Sequence, residues 1–277
     1  MSSKTNFRQA KKQVQIISLQ NKRFKHIVQI FVLCGQNFFA KAPRRLLRLM
    51  QHFFKPSAFK RWQRGYAVRT DANAKVQYSL IGFMAWSGRL FTKLFDLFGI
   101  GEFWTFWWLC FYPNCRPLNE LELEEAKRVF KESIPYSLIR IHEKSPLAHI
   151  GARRIRALDL GICICYTIHF TRTIQTKGGN NDMAWLIHEM VHVSQMEYVG
   201  TQYMTEALYA QATTGYDYGG PNGIKNKSFV DFNREQQGCI PADYYLYVLY
   251  NRDHHRFGYM SFSIYIPLIE ELRKGEM

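Results

Sequence analysis

Between Met183 and Val193 the apolar residues run nearly all the way round a helical period: Met183, Ala184, Trp185, Leu186, Ile187, Met190, Val191 and Val193. A helix that is apolar on every side is a buried helix. Lys177-Gly-Gly-Asn-Asn-Asp182, just upstream, is a turn ending in good N-cap residues, so the helix is predicted to begin there. Further upstream, Ser137-Leu-Ile-Arg-Ile-His142 and the run from Leu158 to Phe170 alternate with period two and predict strands. Leu118-Asn119 leads into an amphipathic helix through Leu121, Leu123, Ala126, Val129 and Phe130. Its acids come early and its bases late, the order that the helix dipole favours. Downstream, Tyr203 to Thr214 predicts a second helix and Gly215 to Gly223 a loop. Phe229 to Gln237 and Ala242 to Tyr250 then predict two more helices, divided by Gly238 and Pro241. No internal repeat or low-complexity tract interrupts this order.

The pattern before residue 117 is different. Residues 1–25 are polar and basic and are expected to be partly disordered. Ile27 to Gly35 is free of charge and follows positive charge, the order of a secretory signal. The preceding region is long, however, and Lys41 interrupts the cleavage site such a signal needs. The run is also too short to span a bilayer, so it predicts a helix packed on protein or on a membrane surface. Residues 41–69 interleave basic side chains with Leu46, Leu47, Leu49, Met50, Phe53, Phe54, Phe59 and Trp62. That is the texture of an interfacial helix, or equally of a solvated helix packing its aromatic side on the domain behind it. Residues 79–112 are the most apolar of all, but Arg89, Lys93, Asp96 and Glu102 break them before a spanning length is reached. A hairpin-like or monotopic element is expected, lying at a membrane interface or covering the domain behind it.

Charge sharpens the division. The chain carries a net +15 over 277 residues, yet residues 1–116 hold 20 Lys and Arg against Asp71, Asp96 and Glu102. The first part is therefore at +17 and the rest at −2, which points the basic part toward an anionic partner. No nucleic-acid fold signature accompanies it, so an anionic membrane is favoured and nucleic acid is not. Pro117 marks the change in texture, giving a basic helical region over 1–116 and a second domain over 117–277. Six cysteines form no C-x-x-C pair; Cys163 and Cys165 are expected on one face of a strand, and all six read as reduced.

The buried helix also carries chemistry. His188-Glu-Met-Val-His192 is an H-E-x-x-H pattern. Residues four apart on a helix share a face, so both imidazoles can reach one metal ion while Glu189 stands beside it as a general base. Chance supplies such a pattern about 0.015 times in a chain of this composition, which makes it a signal. Gln195 and Tyr198 stand where the extended metzincin pattern needs Gly and His, which excludes that class.

Residues 117–277 resemble bacterial zincin-like proteins related to the core of contractile injection systems, the Vgr-related group. The likeness rests on Arg116-Pro-Leu-Asn119, Ser133-Ile-Pro-Tyr-Ser137, Arg140-Ile-His142, His188 to Gln195, Tyr216-Asp-Tyr218 and Phe232-Asn-Arg-Glu-Gln-Gln237. The resemblance implies an α+β zincin-like fold and a Zn²⁺ site completed by a carboxylate from a later helix. Glu235 is the ligand it favours, with Glu206 the alternative. Oxyanion stabilisation is expected from Tyr244, Tyr245, His254 or His255, and Asp243 is the candidate to orient a ligand imidazole. The expected function is a zinc-dependent peptidase acting on a peptide or protein. The alternative is a catalytically silent scaffold or secretion-system accessory. The expected location is the bacterial cytoplasm against the inner membrane, with secretion left open.

Overall fold

The structure, a computed structural model, describes residues 2–54, 87–112, 114–252 and 262–277. Residues 55–86, with Phe59 and Trp62 of the expected interfacial helix, lie outside the described residues, as do His254 and His255. The architecture is mixed α+β, mostly helical with one small sheet.

The first helix, α1 (Ser2–Phe54), starts at Ser2 within the polar opening stretch and carries Pro43 inside it. A second helix, α2 (residues 87–97), and α3 (Ile100–Phe111) follow, separated by Gly99 at φ 69°. A side chain on Gly99 would strike the Phe38 ring, so the turn needs glycine twice over. At the Pro117 boundary, α4 (Glu120–Phe130) opens with a capping box: Asn119 accepts from the Glu122 N–H while Glu122 reaches back to the Asn119 N–H.

The sheet is smaller than the alternation predicted. Ser137 and Leu138 belong to a 3-10 turn, which leaves β1 (Arg140–His142). The run from Leu158 to Phe170 is a hairpin of β2 (Gly161–Ile164) and β3 (Thr167–Phe170), not one strand. It turns at Cys165 with φ 58°, so Cys163 and Cys165 do not share a strand face. The strand order is β1-β3-β2, with β1 parallel and β2 antiparallel to the central β3. A helix absent from the sequence reading, α5 (Pro146–Ile155), connects β1 to β2, with Pro at its first turn where no N–H is missed.

The buried helix α6 (Asn181–Tyr198) starts at its expected cap, Asn180, whose side chain accepts from the Met183 N–H. Thirteen of its 18 residues are buried. The second helix is α7 (Gln202–Ala212). The next one differs from expectation: α8 (Arg234–Asp243) runs straight through Gly238 and Pro241 and passes into a π-helical segment, Tyr244–Leu249. Proline removes one i→i−4 bond, and the wider π turn that follows absorbs the mismatch. A last helix, α9 (Tyr265–Lys274), also unforeseen, packs against α4.

The basic helix α1 is held to the body by paired charges. Arg45 bonds the buried Glu102 and donates to the Asp96 carbonyl at 3.0 Å. Asn37 bridges Glu102 at 2.7 Å and the Tyr166 hydroxyl at 2.9 Å; that hydroxyl donates to Glu197 at 2.7 Å, which Lys41 also pairs. Arg48 donates to the Tyr198 carbonyl at 3.0 Å, so a cation of α1 caps the C-terminal end of α6. Ile30 and Cys34 of α1 and Trp108 and Leu109 of α3 join the same apolar core as α6 and the sheet.

Two expectations follow. Arg45→Met leaves the Glu102 carboxylate buried and uncompensated, and denaturant unfolding should register a loss of about 3–5 kcal/mol. Adding Glu102→Gln to that variant should recover most of it. The second concerns His169, which is fully buried, shares a hydrogen bond of 2.9 Å with Ser145 and has no partner at Nε2. Burial, and then the charge of His142, push its pKa down from 6.5 to about 3. Between those values the unfolded chain holds a proton that the folded chain rejects. The contribution is complete above the unfolded pKa and is lost as pH falls through that window. From about pH 7 to pH 5 the wild-type melting temperature should fall relative to that of His169→Leu.

Candidate metal centre

Three elements build the site. Helix α6 presents His188 and His192 from one face, one turn apart, with ring centroids 5.3 Å from each other. Helix α8 packs along α6 and brings Glu235 from its first turn. The Nε2 atoms of His188 and His192 lie 3.3 and 3.7 Å from one oxygen of Glu235, and the three donor atoms fall within 4.8 Å of one another. Donors held about 2.0–2.2 Å from a tetrahedral zinc are separated by about 3.4 Å, so the two imidazole-to-carboxylate spacings fit such an ion. Two imidazoles and one carboxylate are also the donor set of a catalytic zinc that keeps a position open.

The close approach of α8 explains its glycine. A side chain at Gly238 would sit 2.5 Å from the His188 ring. Glycine is tolerated in mid-helix here because only a bare backbone lets the two helices meet.

Each ligand is oriented from behind. The Gln195 amide donates to the Arg234 carbonyl and to Gln237, both at 3.0 Å, so its oxygen faces His192 Nδ1 at 2.8 Å. That arrangement puts the His192 proton on Nδ1 and leaves Nε2 toward Glu235. Cys239 Sγ lies 3.8 Å from His188 Nδ1. The other oxygen of Glu235 accepts from Gln211 at 2.9 Å.

The charges follow from burial and pairing. Burial opposes ionisation of Glu235, but hydrogen bonds and charge from both imidazoles outweigh it and hold the carboxyl well below its ordinary range. Burial likewise opposes protonation of the imidazoles; at His188, Cys239 and Glu235 overcome it, and at His192 Glu235 does, so both are raised. Glu189 is raised chiefly by burial, with the two imidazoles pulling the other way. One of its oxygens is buried with no hydrogen-bond partner. Its other oxygen lies against the start of β2, where a side chain on Gly161 would come within 2.5 Å of it.

These groups open on a cavity of about 1310 Å³. One wall is β2, an edge strand of the sheet that contributes Ile162; Leu160, Met204, Leu208 and Leu246 add further apolar surface. Arg172 sits at the rim, bonded to Asp182 at 2.6 and 2.9 Å and stacked over Trp185.

Glu206, the alternative third ligand, is not in the cluster: it accepts from Arg234 at 2.7 Å and pairs with Gln202. Asp243 lines the cavity but is bonded by the Tyr218 hydroxyl, and the imidazoles take their outer partners from Gln195 and Cys239. Tyr244 is buried and does not line the cavity. Tyr245 is turned to the head of α6, where its hydroxyl accepts from the Gly179 N–H at 2.8 Å. Two other phenols stand beside the cluster: Tyr203, stacked on His192 with its hydroxyl bonded to the Cys163 carbonyl, and the half-exposed Tyr216, its ring 6.0 Å from that of His188. Burial, then the charges of Glu235 and Glu189, raise the pKa of Tyr216 and keep it protonated. The sequence reading passed over it as part of a glycine-rich loop, although Tyr216-Asp-Tyr218 was among the stretches carrying the resemblance.

No family profile matches the chain, and no solved structure matches it. The chain is 30% identical over 141 residues to the type VI secretion system spike protein VgrG2b of Pseudomonas aeruginosa. The match takes in 47% of this chain and 13% of that longer protein. It bears out the Vgr-related part of the resemblance.

Metal analysis of the purified protein tests the cluster. His188→Ala, His192→Ala and Glu235→Ala should each lose bound zinc, whereas Glu206→Ala should keep it. Gly238→Ala, which displaces His188, should bind zinc more weakly while remaining folded.

Proposed function

We propose that the chain is a zinc-dependent peptidase with a zincin-like catalytic half. The observation that carries this reading is the convergence of His188, His192 and Glu235 on one point of an open cavity, with a buried carboxylate, Glu189, beside them that lacks a partner for one oxygen. An unpaired buried carboxylate is costly, and a catalytic proton carrier is one role that retains it. A bound zinc ion would supply Lewis acidity toward the scissile carbonyl and acidify water at the site.

The remaining steps belong to this chain's own side chains. Glu189 takes the proton of the attacking water and returns it to the amine nitrogen as the C–N bond breaks. Its raised pKa suits both halves of that task. Tyr216, protonated and beside the cluster, donates its hydroxyl to the oxygen on which charge develops. A peptide is the favoured substrate because β2, an edge strand, borders the cavity. An extended chain laid along that edge gains backbone hydrogen bonds, and its alternate side chains enter the apolar wall.

A second reading is supported by the N-terminal helices and by the likeness to a secretion spike protein: a catalytically silent accessory of a bacterial secretion apparatus. One experiment separates the two. Zinc-loaded protein is incubated with a peptide library and cleavage is read by mass spectrometry. Glu189→Gln should keep its zinc and lose about 10²–10⁴-fold in turnover. Tyr216→Phe should lower kcat by about 10²-fold with little change in KM. Cleavage undiminished in Glu189→Gln would overturn the mechanism, and a zinc-loaded wild type that cuts nothing would favour the accessory.

A further inference from the structure

Helix α1 turns several polar side chains inward beside the buried Ile30 and Cys34, while Lys25, Gln29, Gln36 and Arg44 stay exposed and much of its outward side is apolar. The side chains turned to the body are Asn37, Lys41, Arg45 and Arg48, bound to Glu102, Tyr166, Glu197 and Asp96. The outward side carries Phe24, Phe31, Phe39 and Leu46, at spacings of seven, eight and seven residues that keep them on one stripe of a 3.6-residue helix. Phe31 and Phe39 are 61% and 74% exposed. Helix α3 continues the surface: Phe103 and Phe111, both 62% exposed, flank Trp107 at four-residue spacing. The two helices are packed together, with the rings of Phe31 and Phe106 in edge contact at 5.3 Å.

Charge selects the occupant. Across its 53 residues α1 has eleven Lys and Arg and no acid. The acids of the body that face it, Asp96, Glu102 and Glu197, are already engaged by its inward cations. The surplus lies mainly in its first half, at Lys4, Arg8, Lys11, Lys12, Lys22 and Arg23. An apolar aromatic stripe continuous with an acid-free basic stretch matches the acyl boundary and the phosphates of an anionic leaflet together. Among the described residues no helix is long and apolar enough to cross a bilayer.

We infer that the outward faces of α1 and α3 dock the protein on an anionic phospholipid membrane, α1 lying along the surface over a length of about 80 Å. The inference is independent of whether the metal site cleaves peptides.

The test uses the full chain. Flotation with phosphatidylcholine vesicles containing phosphatidylglycerol should carry the protein upward, less so as salt is raised, and pure phosphatidylcholine should carry much less. Phe31→Ser/Phe39→Ser/Phe103→Ser/Phe111→Ser should weaken binding by about tenfold or more. In the unaltered protein, brominated lipid should quench tryptophan fluorescence, and Trp107→Phe should reduce that quenching. No flotation at low salt would overturn the inference, as would binding that the fourfold variant leaves unchanged. So would sedimentation showing that the stripe is covered by a second copy of the chain that vesicles do not displace.

Discussion

Desolvation of the polar residues on one buried helix is the constraint on which the rest of the structure depends. Helix α6 is enclosed on nearly every side, yet it carries His188, Glu189, His192, Gln195 and Glu197. A buried polar group without a partner is costly, so each surrounding element is placed where it can answer one of them. Helix α8 supplies Glu235 to the imidazoles and, through Gln237, an acceptor to Gln195. The hairpin supplies Tyr166 to Glu197, and α1 supplies Lys41 to the same carboxylate. Glu189 faces the cavity with the two imidazoles and keeps one oxygen without a hydrogen-bond partner.

The same constraint explains how two regions of such different composition share a core. A basic helix is an awkward partner for an apolar body unless its cations find buried acids. Asp96, Glu102 and Glu197 are those acids, and they bind α1 at three points along its length. Glu102 and Asp96 read from sequence as breaks in an apolar run; in the structure they are the sockets for Arg45 and Arg48. Such pairs contribute little net stability over an apolar contact, but removing one member is costly, which fixes the register of α1 on the body.

Much of the metal site was legible in the sequence because its signals are local. The spacing of His188 and His192, the cap at Asn180 and the enclosing apolar residues all lie within one helix. Glu235 needed the resemblance, since nothing local separates it from Glu206; what separates them is that Arg234 turns back to pair with Glu206. Helix α8 was cut in two on paper because Gly238 and Pro241 oppose helix formation individually. Tertiary packing overrides both, the glycine for closeness to His188 and the proline through the π segment beyond it. The hairpin was read as one strand because its turn at Cys165 carries no glycine, asparagine or proline to announce it, a cysteine instead adopting the left-handed conformation. Tyr216 sits in a loop whose path is set by distant contacts, beyond the reach of any local pattern.

Gly161 and Gly238 both border the reactive groups, one leaving space for the Glu189 carboxylate and the other for the His188 ring. Neither glycine contributes an atom to a ligand set, and a motif search looks past both. They nonetheless give a criterion for sorting relatives. A protein that keeps the two histidines and the glutamate but bears a side chain at either glycine has the letters of the site without the room for it. Absence of a Cβ at two positions is thus as informative a signature as the motif itself.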